Sequence, residues 1–191
     1  MSHTDKRKVV VSEFITLDGV FDADTMGEWL FPYRSSDVGR HIKEELDAAD
    51  ISLLGSTTYE ALAGYWPHQK DDANGIADRL NSMRKYVVSR TRKDVSWNNS
   101  QVLSENIPAE IAKLKEKSGG DIVVGGSAQL VQTLLMPHDL VDEYRFTVFP
   151  IVFGRGKRFF KNDKNAVKLK LVESTPFSSG AILLVYQPDR S

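Results

Sequence analysis

Apolar residues in this chain recur at two spacings, and the change from one to the other marks its elements. Runs at 8–15, 50–55, 84–90 and 121–124 are short and almost continuously apolar or β-branched. Such runs read as strands buried on both faces. Between them the period lengthens: Ile42, Leu46 and Ala49 share one side of a predicted helix over 37–49, and Ile76, Leu80 and Met83 mark another. Pro108 opens a third helix with Ile107, Ile111 and Leu114 on one side, and Leu130, Val131, Leu134 and Leu135 mark a fourth. Val102-Leu103 makes at most a minimal strand. Beyond residue 140 the pattern becomes strict alternation. Tyr144, Phe146 and Val148 alternate with Arg145, Thr147 and Phe149 in a long strand over 141–153, where Pro150 predicts a bulge or a sheet edge. The runs at 167–172 and 181–186 then pair as a hairpin across Ser178-Ser179-Gly180. Strands separated by helices give a mainly parallel sheet covered on both faces, and the helix-free end adds antiparallel strands. The expectation is one mixed α/β domain over 1–191, with residues 1–7 as a polar extension.

The strand ends carry the candidate chemistry. Val124 runs into Gly125-Gly126-Ser127 before a helix, and Gly55 runs into Ser56-Thr57-Thr58 before another. Glycine removes the Cβ atoms that would hold a ligand off the main chain, and the first N–H groups of a helix favour an anion. Ser89-Arg90-Thr91-Arg92-Lys93 alternates hydroxyls with cations at a third strand end. Each has a plainer reading, as a tight turn or a basic surface loop. In parallel sheets, ligands sit off the carboxyl ends of the strands, where these three junctions should converge. The 64–74 stretch reads as a loop. The passage from Val20 to Ser36 holds Phe21, Trp29, Phe31 and Tyr33; either it folds over a pocket or its rings complete the core. Trp29, Phe31, Tyr33, Tyr65 and Trp66 are the rings available for stacking on a planar substrate.

Composition narrows the field. With 191 residues, 41% of them hydrophobic, the chain can bury a sizeable core. A formal charge of -1 gives no electrostatic case for nucleic acid or an anionic membrane surface. The absence of cysteine excludes disulfides and thiolate chemistry, and no apolar stretch approaches the roughly 20 residues of a membrane span, so a cytoplasmic protein is expected. His3, His41, His68 and His138 show no metal-ligand spacing.

Five motifs in this order resemble the dihydrofolate reductase-like fold, in particular the branch holding the reductase domain of bacterial riboflavin biosynthesis. They are Thr16-Leu17-Asp18-Gly19, Leu54-Gly55-Ser56-Thr57-Thr58-Tyr59-Glu60, Tyr86-Val87-Val88-Ser89-Arg90-Thr91, Val123-Val124-Gly125-Gly126-Ser127, and Asp142 to Thr147 leading to Pro150 and Gly154-Arg155-Gly156-Lys157. The resemblance spans about residues 8–187 and implies a three-layer α/β/α sandwich that binds NADPH. By that resemblance, Gly125, Gly126 and Ser127 hold the pyrophosphate opposite Gly55, Thr57 and Thr58. Ser89, Arg90 and Thr91 receive the adenosine 2′-phosphate, so Arg90→Ala should weaken NADPH far more than NADH. Leu17, Asp18 and Gly19 border the nicotinamide, and Thr147 faces the substrate. A homodimer is implied by analogy, with the antiparallel edge around 146–153 as its surface; Gly154 to Arg158 is expected in a hairpin or dimer contact.

Two positions depart from the family pattern. The carboxylate that holds a pterin near the start of the first long helix would fall on Gly39, and the nearest acid is Asp37, which equally suits a first-turn helix acid. The arginine after the second strand's glycine is Ser56 here. Asp18 and Asp37 are therefore the candidate acids, with Asp18 also readable as part of an Asp-Gly turn. The resulting expectation is an NADPH-dependent reductase acting on a small planar heterocycle or carbonyl substrate, with no bound metal. Its rival is a non-catalytic NADP(H)-binding or regulatory protein on the same fold.

Overall fold

The computed structural model describes residues 6–69, 75–160 and 166–191. Its strands are β1 (Val9–Thr16), β2 (Ala49–Gly55), β3 (Arg84–Val88), β4 (Ser100–Leu103), β5 (Asp121–Val124), β6 (Glu143–Phe149), β7 (Leu169–Pro176) and β8 (Ile182–Pro188). Its helices are α1 (Met26–Trp29), α2 (Ser36–Ala48), α3 (Ser56–Tyr65), α4 (Ile76–Ser82), α5 (Ile107–Lys115) and α6 (Ala128–Leu130), the last running on into a π-wound turn at Val131–Leu135. The strands form one eight-stranded sheet in the order β4-β3-β2-β5-β1-β6-β8-β7. β1 lies parallel between β5 and β6, whereas β8 runs antiparallel to both β6 and β7.

The continuous apolar runs are needed because both sheet faces are covered. Val9 and Val11 of β1 and Ile51 and Leu53 of β2 pack with Ile111 of α5 and Val131 and Leu135 beyond α6. On the other face, Phe14 joins Trp29, Val38, Phe149 and Leu183, and Leu54 joins Tyr59 of α3, Leu80 of α4 and Val87. Burying a side chain such as Leu53 contributes about 1.5–3 kcal/mol. Together these layers make an α/β/α sandwich whose antiparallel strands lie at the C-terminal side. Lys85 is buried within it and donates to the carbonyls of Met83 (2.7 Å), Asn98 (2.9 Å) and Asn81 (3.3 Å). Its ammonium therefore closes the carbonyl end of α4.

Several expectations from the sequence change. The long strand over 141–153 shortens to β6, because Pro150 follows Phe149 and offers no N–H to the ladder. β6 is also interior: β1 and β8 flank it, and the sheet edges are β4 and β7. The supposed dimer edge at 146–153 is therefore not an edge. Part of the 64–74 loop is ordered by α3, which continues to Tyr65, and by a 3₁₀ turn at Trp66–His68; residues 70–74 lie outside the described residues. The 154–158 stretch docks against Asp18 and Asp22 in the turns after β1.

Candidate active site

Because β2 and β5 are neighbours, their two helix junctions lie side by side. Ser127 joins them. Its Oγ accepts from the Gly55 N–H at 3.0 Å and lies 3.0 Å from Thr58 Oγ1 and 3.1 Å from the Gly125 carbonyl. Thr58 Oγ1 donates in turn to the Gly126 carbonyl at 2.8 Å. Gly126 has φ +65°, and a Cβ there would stand 3.0 Å from Thr58 Cγ2, so backbone and space both require glycine. Gly125 is under no such constraint: its Cβ would meet only the Ser12 carbonyl, at 3.6 Å. Thr57 points to the exposed side.

The third junction adjoins the first through a different arginine from the expected one. Ser89, buried at the end of β3, accepts from the N–H groups of Arg92 (3.0 Å) and Thr91 (3.4 Å). This turn carries Arg90 outward into solvent and brings Arg92 back to α3. There Arg92 Nε donates to Ser56 Oγ at 3.1 Å, its guanidinium pairs with Glu60, and it lies 5.3 Å from the Tyr59 ring centre. Ser56, Glu60, Thr91, Arg92, Lys93 and Asp94 line an open pocket of about 350 Å³. Ser56, where the family pattern has arginine, is the residue that receives Arg92.

Neither candidate acid holds a proton at neutral pH. Asp18 accepts from Thr16 Oγ1 at 2.7 Å and from the N–H groups of Phe153 and Gly154 at 3.0 Å, and it pairs with Arg158. These donors, the Thr16 hydroxyl foremost, hold its carboxyl down to about 2. It clamps the turn after β1 to the 153–158 loop, with Gly19 at φ +80° and Leu17 largely exposed beside it. Asp37 accepts from Ser35, from the Val38 N–H, and from both Ser178 N–H (2.7 Å) and Oγ (3.0 Å). The Ser35 hydroxyl and then Ser178 keep it far below the usual carboxylate range, and it fastens α2 to the β7–β8 turn.

The stacking candidates separate as well. Trp29 is fully buried, donates from Nε1 to the Asp22 carbonyl and Thr25 Oγ1, and meets Phe149 edge-on at 5.8 Å. It is core rather than a substrate-facing surface. Phe31 is 48% exposed and lies beneath the Arg34 guanidinium at 3.8 Å, and Tyr33 packs toward Phe149. Thr147 is buried on β6, paired in register with Phe14. Among the described residues no cluster of His, Asp or Glu is placed to hold a metal ion.

The sequence model described as the RibD C-terminal domain matches residues 7–183. The chain belongs to that family. The uncharacterized protein YyaP of Bacillus subtilis is 32% identical over 183 residues, 95% of each chain. Among solved structures, a putative riboflavin biosynthesis protein from Shewanella sp. PV-4 superposes with a TM-score of 0.77 at 19% identity, covering 96% of this chain and 99% of that one. Dihydrofolate reductase from Enterococcus faecalis, complexed with NADP(H), superposes with a TM-score of 0.61 at 17% identity, covering 95% and 96%. The likeness to both fixes the fold of this RibD C-terminal domain as dihydrofolate reductase-like.

Two buried features of this RibD C-terminal domain escaped the sequence reading. On the α2 face, Glu45 accepts from Ser12 Oγ at 2.8 Å and pairs with Arg145, which also pairs with Glu143 (2.6 Å) and Asp121 (3.7 Å); His41 stands 3.6 Å from Glu45. On the opposite face, Glu13 is only 6% exposed and its Oε1 has no hydrogen-bond partner among the described residues. Burial pushes its carboxyl up to about 8, against a smaller opposing pull from the backbone of Gly126 and Ser127. It is thus a neutral acid at pH 7, beneath the glycine turn. One signal was present in the sequence: Glu13 is a lone carboxylate in the apolar run of β1.

Proposed function

We propose that the protein is an NADPH-dependent reductase that passes a hydride to a small planar heterocycle, pterin-like or pyrimidine-like, or to a carbonyl substrate. The observation that carries this reading is the union of the Gly55 and Gly125–Ser127 junctions through Ser127 Oγ, beside the Ser56–Arg92 pocket. The residues present fit the cofactor. Gly126 leaves main chain uncovered, and Arg92 and Lys93 bring two cations to an open pocket that Ser56 of α3 also lines. Gly55, Thr58, Gly126 and Ser127 would hold the pyrophosphate, and Ser89, Thr91 and Arg92 the 2′-phosphate. Bound NADPH would supply the hydride. The chain's own part is to orient donor and acceptor and to exclude water. Leu17 and Gly19 would border the reacting ring, Asp18 would fix the loop beside it, and Thr147 with Phe31 would meet the substrate.

The rival reading, a nucleotide-binding protein without turnover, draws support from Asp18 and Asp37, because both carboxylates are committed to structural hydrogen bonds. Calorimetric titration with NADPH and NADH, followed by NADPH oxidation over pterins, aminopyrimidines and quinones, tests the assignment. Tight binding that depends on the 2′-phosphate, with turnover on one class, is expected. Binding without turnover on any would favour the rival, and no binding would defeat both. The reading implies a cytoplasmic enzyme. Its homodimer would form through β7, whose outer edge has no partner among the described residues and where Leu171 and Val172 are half exposed. Light scattering of wild type and Leu171→Lys checks this: a dimer lost in the variant is expected.

A further inference from the structure

The unpaired carboxyl beneath the glycine turn has a consequence for what that turn can bind. Glu13 shares its face of β1 with Val9 and Val11, and its register partner on β6 is Phe146. Phe146 in turn packs edge-on against Phe159 and Phe160, so that side of the carboxyl is apolar. Among the described residues, polar relief comes from the backbone of Gly126 and Ser127, at the end of β5. Among the described residues, the titratable and charged groups on the surrounding elements lie elsewhere or are engaged. Tyr144, the titratable residue on the same face of β6, is pushed up to about 12 by burial and stays neutral. In the 154–158 loop, Arg155, Lys157 and Arg158 pair with Glu28, Asp22 and Asp24, and Asp18 respectively. The residues described in α6 and the turn beyond it are uncharged, and Glu45, Arg145 and His41 stand on the opposite face of the sheet.

We propose that Glu13 is a positioning residue whose carboxyl must carry a proton whenever a phosphate group is bound at the Gly125–Ser127 turn. A phosphate there needs the same backbone donors that an ionised Glu13 would draw inward. Two anions sharing them in a site closed by Phe146 and Phe159 would repel, and a like charge favours the neutral form of an acid. A protonated Glu13 removes that conflict. It can also turn its O–H toward a carbonyl of the turn, leaving the N–H groups to the ligand. The inference rests on the nucleotide reading above and extends it: the turn selects phosphate together with a proton, taken from solvent when the free carboxyl is ionised.

The sign follows from the two states. Below about pH 8 the free protein already holds the proton, so binding changes nothing at Glu13. Above it, each binding event takes up a proton, approaching one per site, and affinity falls by up to about tenfold per pH unit. Titration calorimetry of the full-length protein with NADPH, in two buffers of different ionisation heat at pH 7.5 and 8.8, counts that proton. The expected result is uptake that rises between the two pH values in wild type and is absent in Glu13→Gln, with affinity in the variant retained and flat. Binding with the same proton count in wild type and variant would overturn the role of Glu13 while leaving the cofactor assignment standing. No binding of NADPH by wild type at either pH would overturn the cofactor assignment and this inference with it. Should Glu13→Gln fail to fold, the wild-type counts decide alone, because uptake that does not rise with pH defeats the proposal.

Discussion

Ser12 and Glu13 are adjacent on β1, yet they lead into opposite kinds of polar interior. On the α2 side, Ser12 meets Glu45, and Arg145 reaches Glu45, Glu143 and Asp121, so part-buried charges of opposite sign are matched. On the α6 side, Glu13 faces aromatic rings and a glycine turn, and its Oε1 has no partner among the described residues. The difference separates architecture from a site. A charge-matched network fixes how α2 sits on the sheet, whereas an acid with an unpartnered oxygen persists only where something offsets its cost. Asp18 and Asp37, the acids that the sequence pointed to, belong with the first kind.

The contrast can be broken most forcefully at Arg145. Arg145→Met leaves Glu45, Glu143 and Asp121 without their shared cation, and chemical denaturation should show a loss of about 3–5 kcal/mol. A loss below 1 kcal/mol would mean that the network contributes little. Glu13 should behave in the opposite way. Its folded value is raised from 4.5 to about 8, so the native state holds the proton more tightly than the unfolded chain does. The stability it contributes is complete below about pH 4.5 and is lost as pH rises to about 8. Relative to wild type, Glu13→Gln should therefore gain stability across that window, by a few kcal/mol at pH 8. Parallel stability curves for the two proteins would contradict this.

At the pocket, removing a charge-assisted bond to phosphate costs about 1.5–3 kcal/mol. Arg92→Ala should thus weaken NADPH roughly tenfold or more with little change for NADH, whereas Arg90→Ala should alter both by less than twofold. The reverse ranking would restore the assignment made from the motif alone. The smallest effect is expected from Asp18→Asn. Asp18 is held down to about 2, so the stability it contributes is present above pH 3.8 and fades as pH falls through 2. The variant should lose that acid limb in thermal scans and loosen the 153–158 loop, seen as faster amide exchange at Phe153 and Gly154.

Most of the sheet was legible because burial on both faces demands continuous apolar runs, and β1, β2, β3 and β5 each carry one. The rest was not legible where one residue has two uses. Pro150 suits a bulge or a sheet edge within a longer strand, but the chain ends its strand there. Trp29 had equal reasons to roof a pocket or fill the core, and periodicity cannot settle the matter in a passage that is helical only in single turns. Arg90 and Arg92 are indistinguishable as letters. The turn made by Ser89 Oγ, which accepts from two successive N–H groups, decides which cation faces α3. Glu13 was visible and passed over, since a carboxylate in a strand acquires meaning only when its neighbours are known to be apolar.

The sheet has two unlike margins: β4 offers four residues and β7 offers eight, with a register shift between Leu171 and Glu173. If two copies met margin to margin through β7, an antiparallel pairing about a two-fold axis would consume the long margin of both. Only the short β4 margins would then remain exposed. Assembly by this route would be self-terminating, and growth into a filament would have to start from a margin of only four residues.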